Sequence, residues 1–373
     1  MKPIQSNHID FGTLKSTDMI LGRAGAVQQK LASIANPYIG NKRKLFVKII
    51  EILDIHKVPY SSVLDLFAGS CSVSLGFKRL GSSVFCNDIM NWCWGIGLSL
   101  VENNSLFPSE KQRQFLLENE VDQSYPMFKI LETKYGDRFT SNEINRIANY
   151  RANVDNIINQ MPHGSVEGTY MNALLLTGML FYILERCFVG GRLNNGQVLA
   201  KVNHRIAHAR NGGQEMKFTK ITYPDFRMKN GPLCHATRLD AINLLTMNHP
   251  KLGERDLVYI DPPYGGDQSD YGKMYEFCED YWICGDYSMM SKSQKFIKTK
   301  GYAEHFEDIL ICLDNFPNLL FSYNDSSWAD IDKIKEIIGG YRKDVVVESV
   351  NYKYNYRDQE EDTGATEYLI VAR

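Results

Sequence analysis

No Cys-x-x-Cys pair occurs in this chain of 373 residues, and its eight cysteines are scattered from Cys71 to Cys312. Such spacing offers neither a zinc site nor a disulfide framework, so no metal is expected, and reduced thiols are the simplest reading. Long apolar runs are missing as well. The strongest, Ala173 to Leu184, has twelve residues and is interrupted by Thr177 and Gly178, too short to span a bilayer. The opening residues MKPIQSNHIDFG carry no apolar stretch of the secretory kind, and a cytoplasmic protein with no membrane partner is expected. An excess of charge is also absent: 42 Lys and Arg face 44 Asp and Glu, a net of −2. That balance excludes a binder that relies on bulk positive charge, but not local basic patches.

What is present is an ordinary globular composition, 44% hydrophobic and 23% charged, on a chain long enough for two domains or for one with a large insertion. Residues 1–35 show no sustained period and read as an extension ending in a short helix. KLFVKIIEIL from Lys44 sets Leu45, Ile49, Ile52 and Leu53 on one helical face. SSVLDLFAGS then reads as a buried strand entering a glycine turn, SCSVSLGFKRLG as a helix closed by Gly81, and SSVFCNDI as a second strand. This β-α-β pattern predicts an α/β fold, a parallel sheet with helices on both faces. Residues 105–235 break the pattern with helical stretches, the apolar MNALLLTGMLFYIL helix, and a hairpin signal turning at Asn194-Asn195-Gly196. Strand patterns resume at RDLVYIDPPY and again at NLLFSYND, KDVVVESVNY and EYLIVAR. The sheet is therefore expected in two parts, 36–104 and 236–373, around an insertion at 105–235.

The near-zero charge is an average. Between Glu185 and Arg238, ten Lys and Arg face three acids, a net of +7; between Glu254 and Asp286 two face nine, a net of −7.

Two segments carry chemistry. In Asp65-Leu66-Phe67-Ala68-Gly69-Ser70 a strand end leads through small residues into a helix, where backbone can approach a ligand and a helix N-terminus offers amide donors. Asp88 follows 23 residues after Asp65, at the end of the next strand, where an acid can accept both hydroxyls of a ribose. The second is Asp261-Pro262-Pro263-Tyr264, directly after the apolar strand Leu257–Ile260. Two prolines end the ladder and stiffen the chain. One carboxylate and one backbone carbonyl can then accept hydrogen bonds from an exocyclic amine while the tyrosine stacks on its ring.

Four segments together, Pro37-Tyr38-Ile39-Gly40-Asn41-Lys42, DLFAGS at 65–70, Asn87-Asp88-Ile89 and DPPY at 261–264, resemble the DNA N6-adenine methyltransferases of the alpha group, the Dam-like enzymes. Arg238-Leu239-Asp240-Ala241 resembles the family's acidic adenine-side motif, and Phe321–Asn324 and Glu367–Ile370 its late strands. The resemblance implies a Rossmann-like, S-adenosylmethionine-dependent methyltransferase sheet interrupted by a target-recognition insertion. It implies that Tyr38 and Lys42 help hold S-adenosylmethionine. Asp65, Phe67, Ala68, Gly69 and Ser70 would surround its methionine part, Asp88 and Ile89 its ribose, Asp240 and Ala241 its adenine, with Asp261 bordering the same site. Asp261, Pro262, Pro263 and Tyr264 would position a flipped adenine for direct methyl transfer to N6. Cys71 stands where the family often has glycine, so altered packing without lost binding is expected.

Double-stranded DNA is the implied partner, with a cognate restriction endonuclease compatible with the family. The basic hairpin offers Arg192, Asn194, Asn195, Gln197, Lys201, Asn203, His204, Arg205 and Arg210 to phosphates and base edges. A methyltransferase of this fold acting on RNA or a protein amide, and a non-catalytic DNA-binding relative, are the alternative expectations.

Overall fold

The computed structural model describes residues 17–33, 38, 41–187, 216–247, 249–263, 272, 275–286, 288, 301–324, 327–352 and 365–373. Seven strands form one sheet: β1 Ser62–Asp65, β2 Ser83–Asn87, β3 His235–Thr237, β4 Leu257–Ile260, β5 Leu319–Asn324, β6 Val345–Tyr352 and β7 Ala365–Ala372. Their order is β3-β2-β1-β4-β5-β7-β6. Strands β1 to β5 pair in parallel, whereas β7 lies antiparallel between β5 and β6. The sheet is thus mixed, where the β-α-β pattern alone implied a parallel one. The late strands could not reveal this, because sequence shows where a strand lies and not which neighbour it chooses.

The apolar runs have a direct cause. All four residues of β4 and all six of β5 are buried, as strands covered on both faces require. Successive side chains divide between two cores. Val63, Tyr259 and Leu320 enter one apolar cluster, while Leu64, Val258, Ile260 and Phe321 enter the other. The first is covered by helices α1 Thr17–Ala32, α2 Phe46–Ile55, α3 Ser72–Leu80 and α4 Asn91–Ile96. Helices α5 Glu110–Glu118, α6 Pro126–Tyr135, α7 Ser141–Ile158 and α8 Val166–Cys187 extend it. The second is covered by α9 Ala241–Thr246, α11 Tyr302–Cys312 and α12 Ile331–Gly339. Each fully buried Leu, Ile or Phe contributes about 1.5–3 kcal/mol, so both clusters are substantial.

Two elements differ from their expectation. The N-terminal segment contains a 16-residue helix, α1, whose Ala24, Val27 and Leu31 are buried in the first core. Its small residues gave too weak a period to be read. Helices α5–α8, inside the expected insertion, pack in the same cluster as α2–α4. Capping explains where α7 starts: Thr140 and Glu143 exchange side-chain and backbone hydrogen bonds, and the other Glu143 oxygen accepts the Met216 amide at 2.9 Å. Residues 188–215, which include the hairpin expected around Asn194-Asn195-Gly196, lie outside the described residues. Helix α10, Glu276–Ile283, seats Trp282 against Gly95 of α4, where an added Cβ would fall 1.9 Å from the indole.

Candidate active site

The chain runs outward from β1 to β3, then returns to β4 on the other side of β1. Parallel sheets bind ligands at such a reversal, outside the carboxyl ends of the strands. Four aspartates stand along that edge. Asp65 ends β1, Asp88 follows β2, Asp240 follows β3 and Asp261 follows β4. Strand β7 runs the other way, so Glu367 near its amino end reaches the same edge, in register with Asn324 at the end of β5.

The Asp65 carboxyl is 1% exposed, and Ser74 of α3 donates its hydroxyl to Oδ2 at 2.5 Å. Its Oδ1 is buried and has no hydrogen-bond partner among the described residues. Burial, reinforced by the charges of Asp261 and Asp88 and opposed by the Ser74 hydroxyl, pushes its pKa up to about 7. Asp88 is half-buried; its Oδ2 accepts the Gly69 amide at 2.8 Å and its Oδ1 the Met90 amide at 2.9 Å. Desolvation raises it to about 6 against those two amides. The Ile89 amide and the Cys93 thiol also act on this carboxyl, so it sits among several donors at the strand end.

Between these acids the turn is tight. Gly69 has φ +47°, and a Cβ there would lie 2.9–3.0 Å from the Tyr38 ring, so glycine is needed for both conformation and space. Tyr38 is stacked on Tyr275 with centroids 5.0 Å apart, and Trp92 tilts against both. Cys71 also takes a left-handed conformation, φ +54°, and its thiol is buried beneath the turn, near the Gly69 and Cys93 carbonyls. The side chain therefore does not project over the turn, and burial together with the neighbouring Cys86 raises the thiol well above its ordinary range. Ala68 and Ser70 are buried, with Ser70 Oγ 2.8 Å from Ser72 Oγ; Phe67 and Ile89 are half-buried. Asp240 caps α9 by accepting the Ile242 and Asn243 amides at 3.1 and 3.2 Å, and Ala241 is buried as its first residue.

At the other side of the reversal, Lys42 Nζ lies 3.0 Å from Asp261 Oδ2 and 4.0 Å from Glu367 Oε1. The lysine is 4% exposed and Asp261 19%. Pro262 is buried and Pro263 half-buried; Tyr264 lies outside the described residues, as do Arg192, Asn194, Asn195, Gln197, Lys201, Asn203, His204, Arg205 and Arg210. The structure thus gathers Tyr38, Lys42, the 65–70 turn, Asp88, Asp240 and Asp261–Pro263 at one edge.

Several residues to which the sequence assigned no role hold that edge together. Asn87 donates to the Leu66 and Leu239 carbonyls and accepts from Thr237 and the Leu239 amide, tying the ends of β1, β2 and β3. Asn41 accepts from the Arg43 amide and from Ser72 Oγ, joining the Lys42 turn to the glycine turn. Glu279 of α10 accepts from Asn91 at 2.7 Å and from the Trp92 amide at 3.0 Å, capping α4. Burial raises its pKa. An asparagine within an otherwise apolar strand end was the available signal for Asn87.

The donor set suits S-adenosylmethionine: an ammonium, a ribose diol and an adenine amine are all donors. The edge supplies acceptors, including the Asp65 Oδ1, which has no hydrogen-bond partner among the described residues, and the Asp88 carboxyl.

Comparison with known proteins agrees. Residues 38–187 match the D12 class of N6 adenine-specific DNA methyltransferases. The type II methyltransferase M2.HphI of Haemophilus parahaemolyticus is 25% identical over 347 residues, covering 90% of this chain and 96% of that protein. The modification methylase LlaI of Lactococcus lactis subsp. lactis is 24% identical over 85% of this chain, and the type II methyltransferase M.FokI of Planomicrobium okeanokoites 23% over 89%. The chain spans about half the length of these last two, 50% and 52%. Among the described residues no helix is long and apolar enough to cross a membrane.

Proposed function

Since the chain is a D12-class adenine-specific DNA methyltransferase that uses S-adenosylmethionine, we propose that it methylates a flipped adenine at a specific site in double-stranded DNA, with the carboxyl-end edge as its active site. The observation that carries this reading is the Lys42–Asp261 ion pair at the β1/β4 reversal, beside the Asp65–Ser70 turn.

The cofactor supplies a methyl group on a sulfonium, transferable without a covalent enzyme intermediate. Asp88 receives the ribose hydroxyls, Asp240 and Ala241 border the adenine, and Tyr38 with Asp65 and the Phe67–Ser70 turn encloses the methionine end. On the target side, the Asp261 carboxylate and the Pro262 carbonyl accept the two N–H bonds of the base's amino group. Its lone pair is then aimed at the methyl. Lys42 orients Asp261 and balances its charge, and Tyr264 stacks on the ring. The methylated nitrogen sheds one proton, for which the Asp261 carboxylate is the first acceptor before solvent. Extruding the base costs a few kcal/mol, which contacts made outside the edge must offset. The basic hairpin, with Arg192, Asn194, Asn195, Gln197, Lys201, Arg205 and Arg210, would supply those contacts to phosphates and base edges. The relatives' names support the modification half of a restriction system acting on intracellular DNA, with a cognate endonuclease as partner.

Asp261→Ala tests the assignment. It should lower methyl transfer by about a hundred- to a thousandfold, the range seen when a positioned hydrogen-bonding group is lost, while S-adenosylmethionine still binds and the fold persists. Wild-type turnover in that variant removes Asp261 from the reaction.

A further inference from the structure

Glu367 is fully buried, yet it stands near the amino end of β7, level with the catalytic edge. Its Oε1 lies 4.0 Å from Lys42 Nζ and 3.4 Å from Asn324 Nδ2, the amide of the residue directly opposite on β5. The same ammonium lies 3.0 Å from Asp261 Oδ2. Lys42 thus joins the carboxyl groups of Asp261 and Glu367.

A buried charge is costly unless paired, so a purely apolar residue at position 367 would make the strand simpler to fold. The placement suggests a different use. Lys42 sits in a short helical turn, Lys42–Lys44, and its side chain is a flexible stem ending in a point charge. Asp261 is also at an element's end, directly after β4 and first in the DPPY motif. Glu367, in a strand bonded on both sides, is held by the sheet itself.

We propose that Glu367 is a positioning residue for methyl transfer. Through Lys42 it fixes which way the Asp261 carboxylate presents its oxygens to the target amine. This rests on the active-site reading above. A misplacement of about 1 Å at a reacting group can cost about a hundredfold in rate, so an anchor for the lysine has kinetic value.

Glu367→Gln and Glu367→Asp separate this role from packing. Gln keeps shape and loses charge; Asp keeps charge and loses one methylene. Single-turnover methyl transfer is measured at saturating S-adenosylmethionine and unmethylated DNA, alongside both dissociation constants. Gln should slow the step by about 30-fold with both affinities within about threefold, and Asp should recover most of that loss. A Gln variant at wild-type rate, or an Asp variant slower than Gln, overturns the proposal, since a structural role would favour the isosteric residue. Should Gln fail to fold, Asn324→Leu removes the amide that holds Glu367 while leaving the three charges. It should slow the same step by about threefold, and an unchanged rate there also overturns the proposal. Asp261→Ala run in parallel distinguishes the two failures. If it remains active, the active-site reading falls; if it is inactive while Glu367→Gln is not impaired, only the anchor falls.

Discussion

In the helical body, the Arg151 guanidinium is 7% exposed and its N–H groups are taken up inside the protein. It donates to the Tyr281 and Trp282 carbonyls at 3.2 and 3.4 Å, to Tyr125 Oη at 3.2 Å, and to Asp155, whose other oxygen accepts from Tyr125. At the strand edge the arrangement is the reverse. Asp65, Asp88, Asp240, Asp261 and Glu367 stand together, and the Lys42 ammonium reaches two of them. The donors of the first region meet acceptors, and they tie the middle of α7 to the carboxyl end of α10. Among the described residues, carboxyl groups outnumber the cations in the second, and burial raises the Asp65 and Asp88 pKa values. A balanced buried network specifies structure; an unbalanced one at the mouth of a sheet is arranged for a ligand that brings the missing donors.

The sharpest way to break this contrast is Arg151→Met. Leaving two helix-end carbonyls without their partner should destabilise the protein by about 2–4 kcal/mol in chemical denaturation, the 40% exposed Asp155 adding little. S-adenosylmethionine affinity of the folded protein should change by less than about threefold, because the network holds no ligand. A selective loss of cofactor affinity would mean the two regions are one.

Asp88→Ala should do the opposite. Losing a charged acceptor of two hydroxyls should weaken S-adenosylmethionine binding by about 10- to 100-fold in calorimetry, with a smaller stability change from the freed Gly69 and Met90 amides.

The pH response is a third test. Asp65 binds a proton more tightly folded, with a pKa of about 7, than unfolded, near 3.8. Its contribution to stability is therefore present below about pH 4 and lost as pH rises toward 7. Melting of the wild type should fall relative to Asp65→Asn across that window, while Asp88, present in both proteins, contributes to each curve and not to their difference. Parallel curves would show that burial does not set the Asp65 proton.

The smallest effect concerns Cys71→Gly. Relief of a left-handed cysteine should stabilise by less than about 1 kcal/mol, partly offset by the lost thiol packing. A clear destabilisation would mean that the thiol holds the turn.

How much of this was written locally in the sequence follows from the same contrast. The strands β1, β2 and β4 were legible because strands buried on both faces read as apolar runs, and each led into an aspartate that marked the edge. Strand β3 was not, being three half-buried residues, His-Ala-Thr, held by pairing with β2. Nor was the work of Asn87, Asn41 and Glu279, whose partners lie up to 188 residues away. Glu367 stood in view before an apolar strand, but only the antiparallel insertion of β7 brings it to Lys42. Local chemistry marks the acceptors of the site, while the ties that orient them depend on topology.

The most direct measurement is product analysis. The purified protein is incubated with labelled S-adenosylmethionine and unmethylated double-stranded DNA, and the DNA is digested to nucleosides. The label should appear in N6-methyladenine at a defined site and be absent with Asp261→Ala. Label in another base, or transfer that survives in Asp261→Ala, would contradict the account.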